Sequence, residues 1–246
     1  VLAVLLLGFG WFARAANADP VPVDLQLVLA VDVSRSIDDE EYALQKDGYA
    51  KAFVNPSVLK AIQENGRGRI AVTLVEWSGA EFQKVVVPWM LVSDAASGQL
   101  FADAILKSPR SFWGWTSISG AIDASVKLFG QDDFAGTRKV IDVSGDGVNN
   151  SGRAASSARD DALQRGITIN GLVIMDEHPN PGLIMQAEQP PLDEFYRDNV
   201  IGGPGAFVVA IKGFDTFAAA IVNKLVREIA TLPSASRLAV AGHPAR

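Results

Sequence analysis

The sequence predicts an α/β fold: a three-layer open sheet of mostly parallel strands, with one antiparallel edge strand and helices on both faces. Three observations predict it. Short apolar runs, such as Leu27 to Val31 and ITINGLVIM near residue 170, read as strands buried on both faces. These runs alternate with segments of helical periodicity, the pattern of parallel strands joined by crossover helices. One pair of runs, GRIAVTLVEWSG and EFQKVVVPWML, is separated by only a few polar residues around Ser78 and Gly79. A link that short makes a hairpin, which places one antiparallel strand at an edge.

The elements follow in order. VPVDLQLVLAVDVS is the first strand, and DDEEYALQKDGYAKAFVN is a helix whose acidic start, Asp38 to Glu41, suits the free N–H groups and the dipole there. Tyr42, Gln45, Tyr49 and Phe53 recur at helical spacing, and Asn55-Pro56 stops the helix. After the hairpin come a helix through SDAASGQLFADAILKS, a loop rich in glycine and tryptophan, and a helix in TSISGAIDASVKLFG. RKVIDVSGDGVNNSG is a strand running into a polar, glycine-rich loop, SARDDALQRG a helix, and ITINGLVIM the next strand. A proline-rich stretch, 178–191, precedes one short helix, and AFVVAI is the last strand. FDTFAAAIVNKLVREIATL closes the fold as an amphipathic helix with Phe217, Ile221, Leu225 and Ile229 on one side.

With 246 residues, 48% of them hydrophobic and 20% charged, the chain is long and apolar enough for one generous domain and shows no composition break or repeat. The formal net charge of -6 argues against non-specific nucleic-acid binding, which needs phosphate-neutralising side chains. Cysteine is absent, which removes disulfides, thiolate metal sites and thiol nucleophiles. Residues 1–18 read as a signal peptide: the apolar stretch Val1 to Phe12 is short for a bilayer, and Ala16-Asn17-Ala18 has the A-x-A form of a cleavage site after Ala18. The alternative is a buried or interfacial N-terminal segment. On the first reading the mature domain occupies 19–232, the tail 233–246 is flexible, no stable transmembrane anchor remains, and the protein is periplasmic or secreted.

Ligands of open α/β sheets sit beyond the carboxyl ends of the strands. Three segments there are rich in oxygen: Asp32-Val33-Ser34-Arg35-Ser36, Trp115-Thr116-Ser117 and the loop from Ser144 to Asn150. Carboxylates and hydroxyls are hard ligands suited to magnesium, manganese or calcium. Each piece also has a plainer reading. Ser34 and Ser36 could cap the following helix, Thr116 could cap its own, and Asp146-Gly147 is a common turn pair. Asp32 resists such a reading, because a carboxylate at the mouth of a core strand is costly without a positive partner or several donors.

The D-x-S-x-S run at Asp32, Ser34 and Ser36, with Thr116 and the Asp-Gly pair at Asp146, resembles the metal-ion-dependent adhesion site (MIDAS) of von Willebrand factor A domains, the superfamily of the integrin inserted domains. The likeness spans roughly Asp24 to Leu232 in segment order as well as motif. VDVSRSID and VIDVSGDGVNN look closest to an uncharacterised bacterial family of secreted A-domain-like proteins. The resemblance implies that Ser34, Ser36 and Thr116 contact a divalent cation through their hydroxyls, with Asp32 and Asp146 acting directly or through water. Magnesium is the first expectation, manganese or calcium the alternatives. It implies further a protein or peptide partner that presents an acidic residue to the metal.

Two features depart from the family pattern. SFWGWT before Thr116 is bulky where a glycine-rich turn is expected, so Trp113 and Trp115 either wall the site as anchors or sit half-buried. The stretch 178–191 is a rim loop or packs beside the sheet. Asp142, inside its strand, is left out of the ligand set and assigned to a helix dipole or a supporting shell. No catalytic residues are expected: no nucleophile-elbow pattern surrounds Ser34, and His178 and His243 lie in a proline-rich loop and the tail. A scaffold subunit of an envelope complex and a metal-assisted hydrolase remain as alternatives.

Overall fold

β1 (Val21–Asp32) and β2 (Ile70–Trp77) are buried along nearly their whole length, β1 from Val23 onward. That is why both read as continuous apolar runs rather than as alternations. The computed structural model describes residues 19–111, 113–175, 190–214 and 216–230. Within them β3 (Gln83–Val92), β4 (Phe134–Gly145), β5 (Ile167–Met175) and β6 (Val208–Lys212) complete a six-stranded sheet in the order β3-β2-β1-β4-β5-β6. All pairings are parallel except β2 with β3, which forms the antiparallel edge. β3 is correspondingly half-exposed. The signal-peptide reading, the proline-rich stretch through Gln189, both histidines and the tail lie outside the described residues.

Helices cover both faces. α1 (Asp39–Phe53), α2 (Pro56–Glu64), α3 (Ala95–Lys107) and α7 (Phe217–Ala230) pack on one side with Leu25, Leu27, Leu29 and Val31. α4 (Ile118–Leu128), α5 (Ala155–Gln164) and α6 (Leu192–Asn199) pack on the other with Val28 and Ala30. The strict odd–even split along β1 is the two-residue pleat of a strand. α2 was not expected. Asn55-Pro56 does end α1, but the same pair starts a new helix: the Asn55 side chain accepts from Ser57 N at 2.8 Å, and Pro56 stands at the first helical position. Among the described residues no helix is long and apolar enough to cross a membrane.

The strand order fixes where a ligand can sit. The chain runs from β1 outward to β2 and β3 on one side, then returns past β1 to lay down β4, β5 and β6 on the other. The crossovers leaving β1 and β4 therefore diverge, and a crevice opens between their carboxyl ends. Asp32 ends β1, and Asp146 follows the last residue of β4.

Candidate metal centre

At that crevice the oxygen-bearing residues converge. Asp32 is fully buried; its Oδ1 accepts from Ser34 N at 2.7 Å, while Oδ2 has no hydrogen-bond partner. Ser34 Oγ lies 3.1 Å from Ser36 Oγ, and Ser36 Oγ donates to Asp146 Oδ1 at 2.8 Å. Thr116 Oγ1 reaches Ser34 Oγ at 3.5 Å. Residues separated by more than a hundred positions in sequence thus form one continuous set. Asp142 is not among them. It lies one sheet face away, against Lys224 of α7.

The capping readings of Ser34, Ser36 and Thr116 fail on geometry. Asp38, not Ser34 or Ser36, caps α1; its side chain accepts from Glu41 N at 2.8 Å, and Glu41 answers by accepting from Asp38 N at 2.9 Å. Ser117, not Thr116, caps α4, accepting from Gly120 N at 3.1 Å. Both tasks are thus performed by neighbours, and the hydroxyls of Ser34, Ser36 and Thr116 face the crevice set instead.

Three supports for this arrangement carried no clear signal in the sequence. The Arg110 guanidinium donates to the carbonyls of Val33, Ser34 and Ile37 at 3.1, 3.3 and 2.7 Å, and to Asp39 Oδ1 at 3.1 Å. It stitches the D-x-S-x-S loop from beneath, between the rings of Tyr42 and Trp113. Asn150 ties the third loop to the second, accepting from Thr116 N at 2.9 Å while its own N–H donates to Thr116 O at 2.9 Å. Asn149 accepts from Ser119 N at 2.9 Å, so the two asparagines hold loops together rather than line the rim. The third is Gly145 with Tyr196. A Cβ on Gly145 would lie 2.8 Å from Tyr196 Oη and 2.9 Å from Asp32 Oδ2, so only glycine leaves room above the crevice floor. Tyr196 is fully buried, and its hydroxyl, like Asp32 Oδ2, lacks a hydrogen-bond partner.

Electrostatics single out the same spot. Burial drives the Asp32 carboxyl well above its ordinary range, and the Asp146 charge pushes it further. Hydrogen bonds from Ser34 and the more distant Arg110 charge pull back without reversing the shift. Burial likewise raises the Tyr196 phenol, with Asp32 and Asp146 adding to it. A divalent cation fits this environment. The donors are two carboxylates and three hydroxyls, one carboxylate oxygen is buried without a partner, and hard oxygen sets suit magnesium-like ions. Among the described residues no cluster of three or more His, Cys, Asp or Glu offers a competing metal site.

Trp113 and Trp115 are 63% and 69% exposed, so of the two readings the half-buried one is set aside.

Solved structures share this architecture. Proximal thread matrix protein 1 of the mussel byssus, with a zinc-occupied MIDAS motif, matches at a TM-score of 0.57 and 16% identity, covering 85% of this chain and 46% of that one. The von Willebrand factor type A from Catenulispora acidiphila matches at 0.55 and 15%, covering 85% and 42%. The pilus adhesin SpaC of Lactobacillus rhamnosus GG matches at 0.59 and 17%, covering 87% and 30%. This chain spans less than half the length of each, and identities this low establish the fold alone. No curated protein matches the sequence. One family model spans residues 22–233. The chain therefore belongs to the family described as "Protein of unknown function (DUF1194)", and its fold is that of a von Willebrand factor A domain.

Proposed function

We propose that this protein is a metal-dependent binding module that captures a carboxylate of a partner protein or peptide. Ser34, Ser36 and Thr116 would hold a divalent cation through their hydroxyls, with Asp32 and Asp146 balancing its charge. The observation that carries the reading is the buried, unpartnered Oδ2 of Asp32, set beside Asp146 and three hydroxyls at the switch point of the sheet. Leaving a charge there without a counter-ion costs several kcal/mol, so a cation stabilises the site as well as equipping it. The ion's chemistry is to present positive charge where two acidic surfaces would otherwise repel. Magnesium is the first choice, with manganese and calcium next; the zinc in the mussel protein puts zinc in the same titration. The likeness of fold to a pilus adhesin and a byssus matrix protein supports a role outside the cytoplasm, periplasmic or secreted, as does the leader-like start.

Thermal melts across a titration of each metal test this. At an ion concentration a hundredfold above Kd, binding adds about 2.7 kcal/mol, which moves the midpoint of a domain this size by about 5–10 °C. Asp32→Ala is expected to abolish that shift and, without metal, to melt no lower than the wild type, because it removes a buried uncompensated carboxylate. Flat wild-type melts across millimolar magnesium, manganese, calcium and zinc would sink the reading.

A further inference from the structure

Just ahead of Thr116 the chain exposes two large rings at a site that needs none for its cation. Trp113 and Trp115 are the most exposed of the large apolar side chains among the described residues, and Phe82 nearby is 45% exposed. The backbone between the two indoles is pinned. Arg35 N donates to Gly114 O at 3.0 Å, and Ser117 N donates to Ser78 O at 2.8 Å. A Cβ on Gly114 would meet Ser78 Oγ at 3.2 Å, so position 114 faces inward while 113 and 115 face solvent.

Both rings are tied to the metal centre through short links. Trp113 lies under the Arg110 guanidinium, 4.8 Å from ring centre to Cζ, and that guanidinium binds the carbonyls of Val33 and Ser34. Trp115 directly precedes Thr116, whose Oγ1 reaches Ser34 Oγ. At Gly79 a Cβ would sit 3.4 Å from the Phe82 ring and 3.8 Å from Trp115 N, which places the third ring beside the same loop. The result is an apolar rim that is continuous with the crevice and held on an anchored backbone. Such preorganisation limits the entropy lost on binding, and tryptophan and arginine are the residues that most often dominate interface energy.

We infer that this rim docks an extended segment of a partner protein in which an Asp or Glu meets the metal centre and bulky apolar side chains two or three residues away lie on Trp113 and Trp115. This rests on the metal-dependent reading above. Two observations favour such a segment. Trp113 and Trp115 face solvent on either side of the inward-facing Gly114, the alternation that an extended partner segment shows with its own every-second side chain. The exposed Arg35, between Ser34 and Ser36, adds positive charge at the mouth of a chain whose net charge is -6 and which elsewhere repels acidic partners.

The test is selection from a random dodecapeptide library on the full chain in millimolar magnesium. Selected peptides are then measured by fluorescence anisotropy, beside their Glu→Gln forms and an oligogalacturonate. The expected peptides share an acidic residue with Trp, Phe, Leu or Met two or three positions away. Trp113→Ser/Trp115→Ser should weaken them at least tenfold while leaving the magnesium-dependent thermal shift in place, and Trp113→Phe/Trp115→Phe should restore most of the loss. Acidic peptides without apolar neighbours, equal affinity in the serine variant, or binding of oligogalacturonate and no peptide would each overturn the proposal. Non-acidic peptides that bind equally in chelator, together with an absent thermal shift, would instead overturn the metal reading and the acidic half of this one.

Discussion

Replacing Lys224 by methionine is expected to destabilise the fold by about 3–5 kcal/mol, because it strands two carboxylates in the core. Lys224 Nζ lies 2.6 Å from both Asp142 Oδ1 and Glu228 Oε1, and all three side chains are essentially inaccessible. Asn170 Nδ2 donates to Glu228 Oε1 at 3.0 Å, and the Phe207 ring lies 5.2 Å from the ammonium. The cluster joins α7 to β4 and β5, so its loss should loosen the last helix first. Two carboxylates share one ammonium, with Tyr49 of α1 close enough to feel the Asp142 charge. Burial, then the charge of Glu228, pushes the Asp142 carboxyl up to about 7 against the pull of Lys224. The fold therefore keeps a proton that the unfolded chain releases near pH 4. Stability should fall as pH rises from about 4 to about 7, by up to about 4 kcal/mol, and level off above that. Asp32, also raised, contributes a slope of the same sign, so the readout is the difference between wild type and Asp142→Asn in denaturant melts from about pH 4 to about pH 8. Asp142→Asn mimics the protonated form: it should match the wild type at about pH 4 and below, and exceed it by a growing margin as pH rises to about 7. A slope identical in both proteins would mean that Asp142 is ionised throughout.

That cluster also shows where reading the sequence stops. The strands were legible because a doubly buried strand has to be apolar throughout, and the hairpin because its link is too short to cross over. The convergence at the crevice was legible because these residues fall at strand ends in motif spacing, so Asp32, Ser34, Ser36, Thr116 and Asp146 could be named as one set before the geometry was known. Asp142 could not be placed, since its partner Lys224 is on a helix near the other end of the chain and on a face that otherwise carries Phe217, Ile221, Leu225 and Ile229. Nothing local distinguishes a lysine that is buried with two acids from one that reaches into solvent. Tyr196 was hidden for the same reason, since its hydroxyl gains meaning only from Gly145 on a different element. The α2 helix was lost to a rule that holds at one boundary and reverses at the next: Asn-Pro stops a helix and also starts one.

Arg110→Lys is expected to weaken cation binding by about tenfold or more while keeping the charge that Arg110 carries. Two effects oppose each other at this position. The guanidinium charge lowers the Asp32 pKa and repels a nearby cation, so electrostatics alone would let neutralisation strengthen metal binding. Its planar fork, by contrast, serves three carbonyls of the D-x-S-x-S loop and the Asp39 carboxylate together, from a side chain only 10% exposed. Hydrogen bonds from a charged donor contribute about 1.5–3 kcal/mol each, and a single ammonium cannot reproduce the fork. The geometric loss therefore exceeds the electrostatic relief, and lysine isolates it because the charge stays. Magnesium titrations of the melting midpoint should show the weakened affinity, and Arg110→Ala should add a loss of about 2–4 kcal/mol in metal-free stability. Unchanged affinity in Arg110→Lys would show that the loop holds its shape through Val33 N–H to Trp77 O and the Asp38–Glu41 capping box alone. The hydroxyls of Ser34 and Ser36 would then be positioned from within β1 and α1, with nothing required from the tryptophan loop. The expected weakening says the opposite: the Arg110 guanidinium, not the indoles beside it, sets the spacing of the Ser34 and Ser36 hydroxyls from outside β1 and α1.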